Sequence, residues 1–320
     1  MQREVWVIIN TLFFINSVYS QEKSIYNQAY IDPFIINPAC AGSELFPIVR
    51  LSVENRWIGF RNSPSTILLT GNTRIGNYDF YTPKGLINKG PLKIGDRVAF
   101  GGAVYYDNNG PLKSTGGMLS YAYHIPLNKV SRLSMGLSVY LLNKTVNTAE
   151  LEPDQVEDEY LFKEQNDLFR VNFGVGLFYH RKNFFSGLSV NELFSMQTKS
   201  SYRDVKMPGY YFLAGYKFEE VTRSLDFEPS IIVRKPSDED LYFDFYARIY
   251  FMKFHWAALS YSTAGLADIM LAVRIYNSFY IGYNYMYNMG KIALYNYGSH
   301  RISIGINLGL RGIDKWEYYN

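Results

Sequence analysis

The chain has 320 residues and almost balanced charge, 32 Lys and Arg against 29 Asp and Glu, for a net of +3. With no basic run along it, that balance excludes nucleic acid as a partner. Charged residues reach only 19% while aromatics reach 17%, with 29 Tyr and 22 Phe beside 25 Gly. A soluble helical or α/β domain carries more charge and fewer rings; this mixture suits strands that face lipid, with ring girdles at the two interfaces.

In chain order, residues 1–20 read as a secretory signal peptide. Arg3 supplies a positive charge, diluted by Glu4; Val5 to Ile15 is apolar, and Val18-Tyr19-Ser20 precedes a cut ahead of Gln21. The stretch is too short for a membrane-crossing helix, and no later apolar run approaches the length one needs. Residues 21–46 show no alternation and contain Pro33 and Pro38, with Pro47 just beyond. They are expected to be a periplasmic lead or a segment folded into a lumen. Cys40 is the only cysteine, so no internal disulfide forms. It lies too far from the cut to carry a lipid anchor. A packed structural cysteine is the expectation, with a free thiol of intermolecular role as the alternative.

From 47 to 308 the pattern has period two. In Arg301 to Leu308 apolar residues alternate with small or polar ones, and Leu241, Phe243, Phe245, Ala247 and Ile249 share one face opposite Tyr242, Asp244, Tyr246 and Arg248. A soluble sandwich alternates too. Here, however, the polar face is Gly, Ser and Asn rather than Lys and Glu, and segments cluster near the length a tilted strand needs to cross a bilayer. The expected fold is therefore all-β, a transmembrane antiparallel β-barrel of the outer membrane. Its roughly fourteen strands are placed near 47–57, 65–75, 97–106, 115–125, 131–143, 168–180, 183–191, 209–218, 225–234, 241–251, 254–262, 267–275, 278–287 and 299–308. With a periplasmic N-terminus, 126–129, 180–183, 252–253 and 276–277 become short periplasmic turns, and 144–167, 192–208 and 288–298 become outer loops. The connection 76–96, long and rich in Gly and Pro, breaks this rule by falling on the periplasmic side. Residues 309–320 are expected as a periplasmic tail.

No catalytic or metal signature stands out, and no enzyme activity or cofactor is expected. His124, His180, His255 and His300 lack ligand spacing. Gly174-Val175-Gly176 sits inside a strand pattern, where a tight lumen wall explains it better than a dinucleotide fingerprint. A Ser303–His300 pair is the one hydrolytic combination considered. The acidic loop 150–164 reads as a solvated surface loop, with calcium or a basic partner as alternatives.

Asp32 to Ser43, containing Asn37-Pro38-Ala39-Cys40-Ala41-Gly42-Ser43, resembles the "NPAYAGS" segment of the PorP/SprF family of type IX secretion barrels in Bacteroidota. Arg56-Trp57-Ile58-Gly59-Phe60 with Pro64 is similar to that family's "RxQWxGF…P" pattern, and Gly298-Ser299-His300 to its "GSH". Cys40 replaces the usual Tyr, Glu54 stands where Arg is usual, and Arg301 stands where Glu is usual. Strands 47–57 and 299–308 must pair to close a barrel. The expectation is thus a seam ion pair, Glu54 with Arg301, its signs swapped relative to the family; two unrelated lumen charges are the alternative. The resemblance implies a non-enzymatic outer-membrane component of type IX secretion and gliding motility. Such a component links secreted surface cargo, often a large adhesin, to periplasmic ring components. The alternative is a diffusion porin or substrate channel, with Arg50, Glu54, Arg56, Asp244, Arg248, Asp268 and Arg274 forming a constriction ring.

Overall fold

The computed structural model describes residues 28–44, 47–60, 62–75, 80–82, 85–87, 97–128, 130–147, 168–198, 207–222, 224–237, 239–252, 255–275 and 278–308. The expected signal peptide 1–20, the tail 309–320 and the acidic loop 150–164 lie outside them.

Fourteen antiparallel strands form one closed wall: β1 (Ile48–Asn55), β2 (Ser65–Arg74), β3 (Val98–Asn109), β4 (Leu112–Pro126), β5 (Ser131–Val146), β6 (Leu168–Arg181), β7 (Phe184–Thr198), β8 (Gly209–Tyr216), β9 (Leu225–Lys235), β10 (Tyr242–Phe251), β11 (His255–Ser262), β12 (Leu266–Arg274), β13 (Phe279–Asn288) and β14 (Ser299–Asn307). Each pairs with its neighbour in sequence, and β1 pairs with β14 to complete the circle. Phe218–Thr222 prolongs β8 beyond the wall and pairs with the start of β9. Within the connection 76–96, Phe80–Thr82 pairs with Gly85–Ile87 as a separate two-stranded ribbon.

The two faces of the wall are inverted relative to a soluble protein. Inward positions on β1 are Arg50, Ser52 and Glu54, all buried, while Val49, Leu51 and Val53 face out and are exposed. Leu119, fully apolar, is 75% exposed. An apolar outer surface continuous around a barrel requires lipid as its solvent. Exposed rings mark both ends of that surface: Phe184, Tyr216, Phe251 and Phe279 near the end where β1 begins (the near mouth), Tyr106, Phe169, Tyr210 and Tyr287 toward the other (the far mouth).

Several strands run further than the sequence pattern indicates. β3 and β4 extend to Asn109 and Leu112, so the expected 107–114 connection shrinks to a turn at Gly110 and Pro111. β7 extends to Thr198 across an irregularity, where Phe173 pairs with Phe194 but Val175 with Val190, and Glu192 takes φ 59°. Alternation is enforced only where one face meets lipid. Past that band, and across a bulge, backbone pairing continues without it.

Candidate functional site

The lumen is filled by residues 28–44. Two short 3-10 turns, Pro33–Ile35 and Pro38–Cys40, each begin with a proline, whose fixed φ and missing N–H suit a first position. Asn37 caps the second, its Oδ1 accepting from the Ala39 amide at 3.0 Å. Phe34, Ile35 and Ile36 are at most 1% exposed, each worth about 1.5–3 kcal/mol in burial.

The wall reaches in to satisfy this plug's backbone. Tyr140 donates to the Ile35 carbonyl at 2.9 Å, while Ser189 and Asn191 both donate to the Ile36 carbonyl, at 2.7 and 2.9 Å. Asn37 Nδ2 donates to the Leu177 carbonyl at 2.9 Å. His124 Nε2 lies 3.0 Å from the Ala41 carbonyl and its Nδ1 2.6 Å from Ser134 Oγ. A carbonyl only accepts, so Nε2 carries the proton and the Ser134 hydroxyl donates to Nδ1.

Glycines in the wall make room for this contact. A Cβ on Gly136 would overlap the Ala39 amide, and one on Gly176 would overlap Asn37 Oδ1. At Gly187 it would lie 2.6 Å from Asn37 Nδ2, and at Gly101 2.8 Å from the Phe34 ring. Plug residues Asn37, Pro38, Ala39 and Ala41 are all buried, and Gly42 turns the chain with φ 64° against Ala99. Cys40 is buried among them, and burial raises its thiol pKa well above the ordinary value.

An ionic lock complements the apolar seat. Asp32, with no exposed surface, pairs with Arg50 and accepts from Thr70 Oγ1 at 2.9 Å. Arg50 also donates to both Glu44 oxygens, at 2.8 and 2.9 Å. Sequence reasoning did not find this lock. Its signal was Asp32 beside Pro33, in a segment with no strand pattern to interpret it.

At the far mouth the other motif residues form a second cluster. The Trp57 amide donates to Ser299 Oγ at 3.1 Å, the Ile58 amide to the Gly298 carbonyl at 2.9 Å, and the Tyr297 amide to the Ile58 carbonyl at 2.8 Å. Arg56 pairs with Asp107 at 2.8 Å, and its amide donates to the Pro64 carbonyl at 2.8 Å. Gly59 (φ 112°) lies under the Tyr297 ring, Gly298 has φ 85°, and Phe60 is exposed at the tip. These bonds tie the first connection of the barrel to its last. One strand step below, Glu54 sits opposite Arg301, whose Nε donates to Glu54 Oε2 at 2.9 Å with both side chains buried.

Two alternatives raised by the sequence find no support in the geometry. His300 meets Tyr283 OH at 2.6 Å on the outer face, whereas Ser303, three residues on, is buried on the inner one; an odd spacing along a strand puts two side chains on opposite faces, so they form no pair. Nor do the seven charges considered for a constriction ring lie at one level. Arg50, Arg248 and Arg274 line the near side of the plug, while Glu54, Arg56, Asp244 and Asp268 stand toward the far mouth, where Asp244 pairs with Arg234 at 2.5 Å.

A polar, filled lumen inside an apolar, ring-bordered wall defines a β-barrel protein of the outer membrane. The family model described as type IX secretion system membrane protein PorP/SprF matches residues 18–306, and this chain belongs to that family. Among solved structures, the chain is similar to the outer membrane protein Omp33 of Acinetobacter baumannii, at 10% identity over 82% of this chain and 99% of that one, with a TM-score of 0.45. It is also similar to the toluene transporter TbuX of Ralstonia pickettii, at 8% identity over 86% and 92%, with a TM-score of 0.48. No curated protein matches the sequence.

Proposed function

We propose that this protein is a sealed, non-enzymatic scaffold of type IX secretion. It joins secreted surface cargo, such as an adhesin, at its far mouth to periplasmic ring components at its near mouth. The observation that carries this reading is the plug, whose Phe34, Ile35 and Ile36 are buried where a solute would pass. A diffusion channel needs an aqueous path, and a seated plug opposes one. The periplasm is assigned to the near mouth because connections there are short, two residues between β6 and β7 and three between β10 and β11, as on the periplasmic side of outer-membrane barrels. Gliding motility is the process the same link serves when the cargo is a motility adhesin.

Quantitative proteomics of the culture medium and cell surface, with and without the gene, tests the role. Loss of one or a few large surface proteins, with their retention in the periplasm, is the expected result. Unchanged secretion would overturn it and return the barrel to the channel reading, for which planar-bilayer conductance is the direct assay.

A further inference from the structure

Below the plug, the near mouth holds an open cavity of ≈ 570 Å³. Strand ends on the near side supply much of its lining, among them Asp226, Tyr250, Arg274 and Phe279. Its floor is apolar and aromatic: Tyr30, Phe178, Leu213 and Trp256. Arg248 stands in it, 4.2 Å from the Tyr30 ring and 4.6 Å from the Trp256 ring, and the Tyr30 ring in turn stacks on Tyr246 at 3.9 Å. The floor is therefore also part of the plug's own footing.

The charges around it are already largely matched. Arg50 is held by Asp32 and Glu44, Arg248 by Glu228 at 3.7 Å and by Tyr250, and Lys217 by Asp226 at 3.1 Å. A ligand anion would have to displace these carboxylates. Glu219 and Glu220, by contrast, line the cavity with no ion-pair partner among the described residues. They lie on Phe218–Thr222, the prolongation of β8 that projects past the wall. Phe218 and Val221 on the same prolongation are exposed, so the acidic rim is flanked by apolar surface.

An acidic rim, matched cations and an aromatic floor select a cation joined to an apolar group. The volume is that of a site for a few side chains, and the opening on the mouth admits a chain rather than enclosing a small molecule. We propose that this vestibule docks an extended segment of a periplasmic partner protein, one that carries Lys or Arg next to a large apolar side chain. The proposal rests on the scaffold reading above and names the chemistry of its periplasmic contact.

The test uses full-length barrel in lipid nanodiscs and a fluorescein-labelled hexapeptide of alternating Lys and Phe. Peptides of alternating Glu and Phe, and of alternating Lys and Ser, serve as controls. Only the Lys/Phe peptide is expected to bind, and Glu219→Lys with Glu220→Lys should weaken it about ten-fold or more. Equal binding by the Glu/Phe peptide, or binding unchanged in the variant, would overturn the proposal. In cells, the same variant, checked for assembly by heat-modifiable gel mobility, should retain cargo in the periplasm. If it secretes normally while the deletion strain does not, the vestibule is refuted and the secretion role stands. If the deletion strain also secretes normally, the scaffold reading has failed and takes the vestibule with it.

Discussion

Arg301→Glu places a second carboxylate against Glu54 across the pairing of β1 with β14. At the observed Nε–Oε2 separation of 2.9 Å, an effective dielectric near 20 gives a gross attraction of about 6 kcal/mol, most of it offset by desolvation. The net consequence of breaking the pair depends on burial. Exposed pairs are worth about 0–1 kcal/mol, whereas removing one partner of a buried pair costs about 3–5 kcal/mol. Side-chain exposures of 3% for Arg301 and 4% for Glu54 place this pair in the second class. Arg301→Glu alone should therefore lose about 3–5 kcal/mol, a large share of a typical total stability of about 5–15 kcal/mol. Adding Glu54→Arg should recover most of that loss. The assay is equilibrium unfolding from phospholipid vesicles in guanidinium, followed by tryptophan fluorescence. A double variant no more stable than either single one, or single effects that add to within about 0.5 kcal/mol, would refute the coupling and leave two independent lumen charges.

Cys40 reports on the plug: in the folded barrel its buried, raised-pKa thiol should stay unlabelled by maleimide near pH 8 and label fully in denaturant. Gly136→Val should make it reactive without unfolding the wall, because the new side chain occupies the space of the Ala39 backbone; protection equal to wild type would show that the plug is not seated against β5. Gly298→Ala forces a Cβ to 2.6 Å from the Tyr285 ring at φ 85° and should cost more than about 1 kcal/mol in the same unfolding assay. A neutral result there would mean that the far-mouth connection does not contribute to closure.

The wall was legible in the sequence because a bilayer on one side and a polar lumen on the other impose alternation on each strand. Leu241 to Ile249 shows it directly, and its outward Phe243, Phe245 and Ile249 are exposed. Where lipid ends the constraint ends, so the reach of β3 to Asn109 and of β7 to Thr198 left no trace. The plug was harder to read. Asp32 to Ser43 stood out as a motif, yet nothing local says that Asn37 must meet Leu177 or that Asp32 must meet Arg50. Those contacts join segments far apart in sequence, and a single chain records them only indirectly. The glycines at 136 and 176 are such a record, inward positions on the wall left without side chains. Glu54 and Arg301 were legible for a different reason. Both ends of a closed meander must meet, so strand parity alone puts the two side chains on one face.

β1 joins the plug to the last strand through two side chains four residues apart. Arg50 grips Asp32, near the start of the described chain, and Glu54 grips Arg301 in the last strand. The second grip cannot form on a polypeptide delivered only in part, because Arg301 lies in the last strand to arrive. A chain stopped before β14 leaves Glu54 facing an open edge, and one that has lost Asp32 leaves Arg50 with an unmatched charge inside the lumen. The first strand thus acts as an inspector of assembly: the ring shuts in its lowest-energy form only around a chain that carries both the plug's Asp32 and the last strand's Arg301.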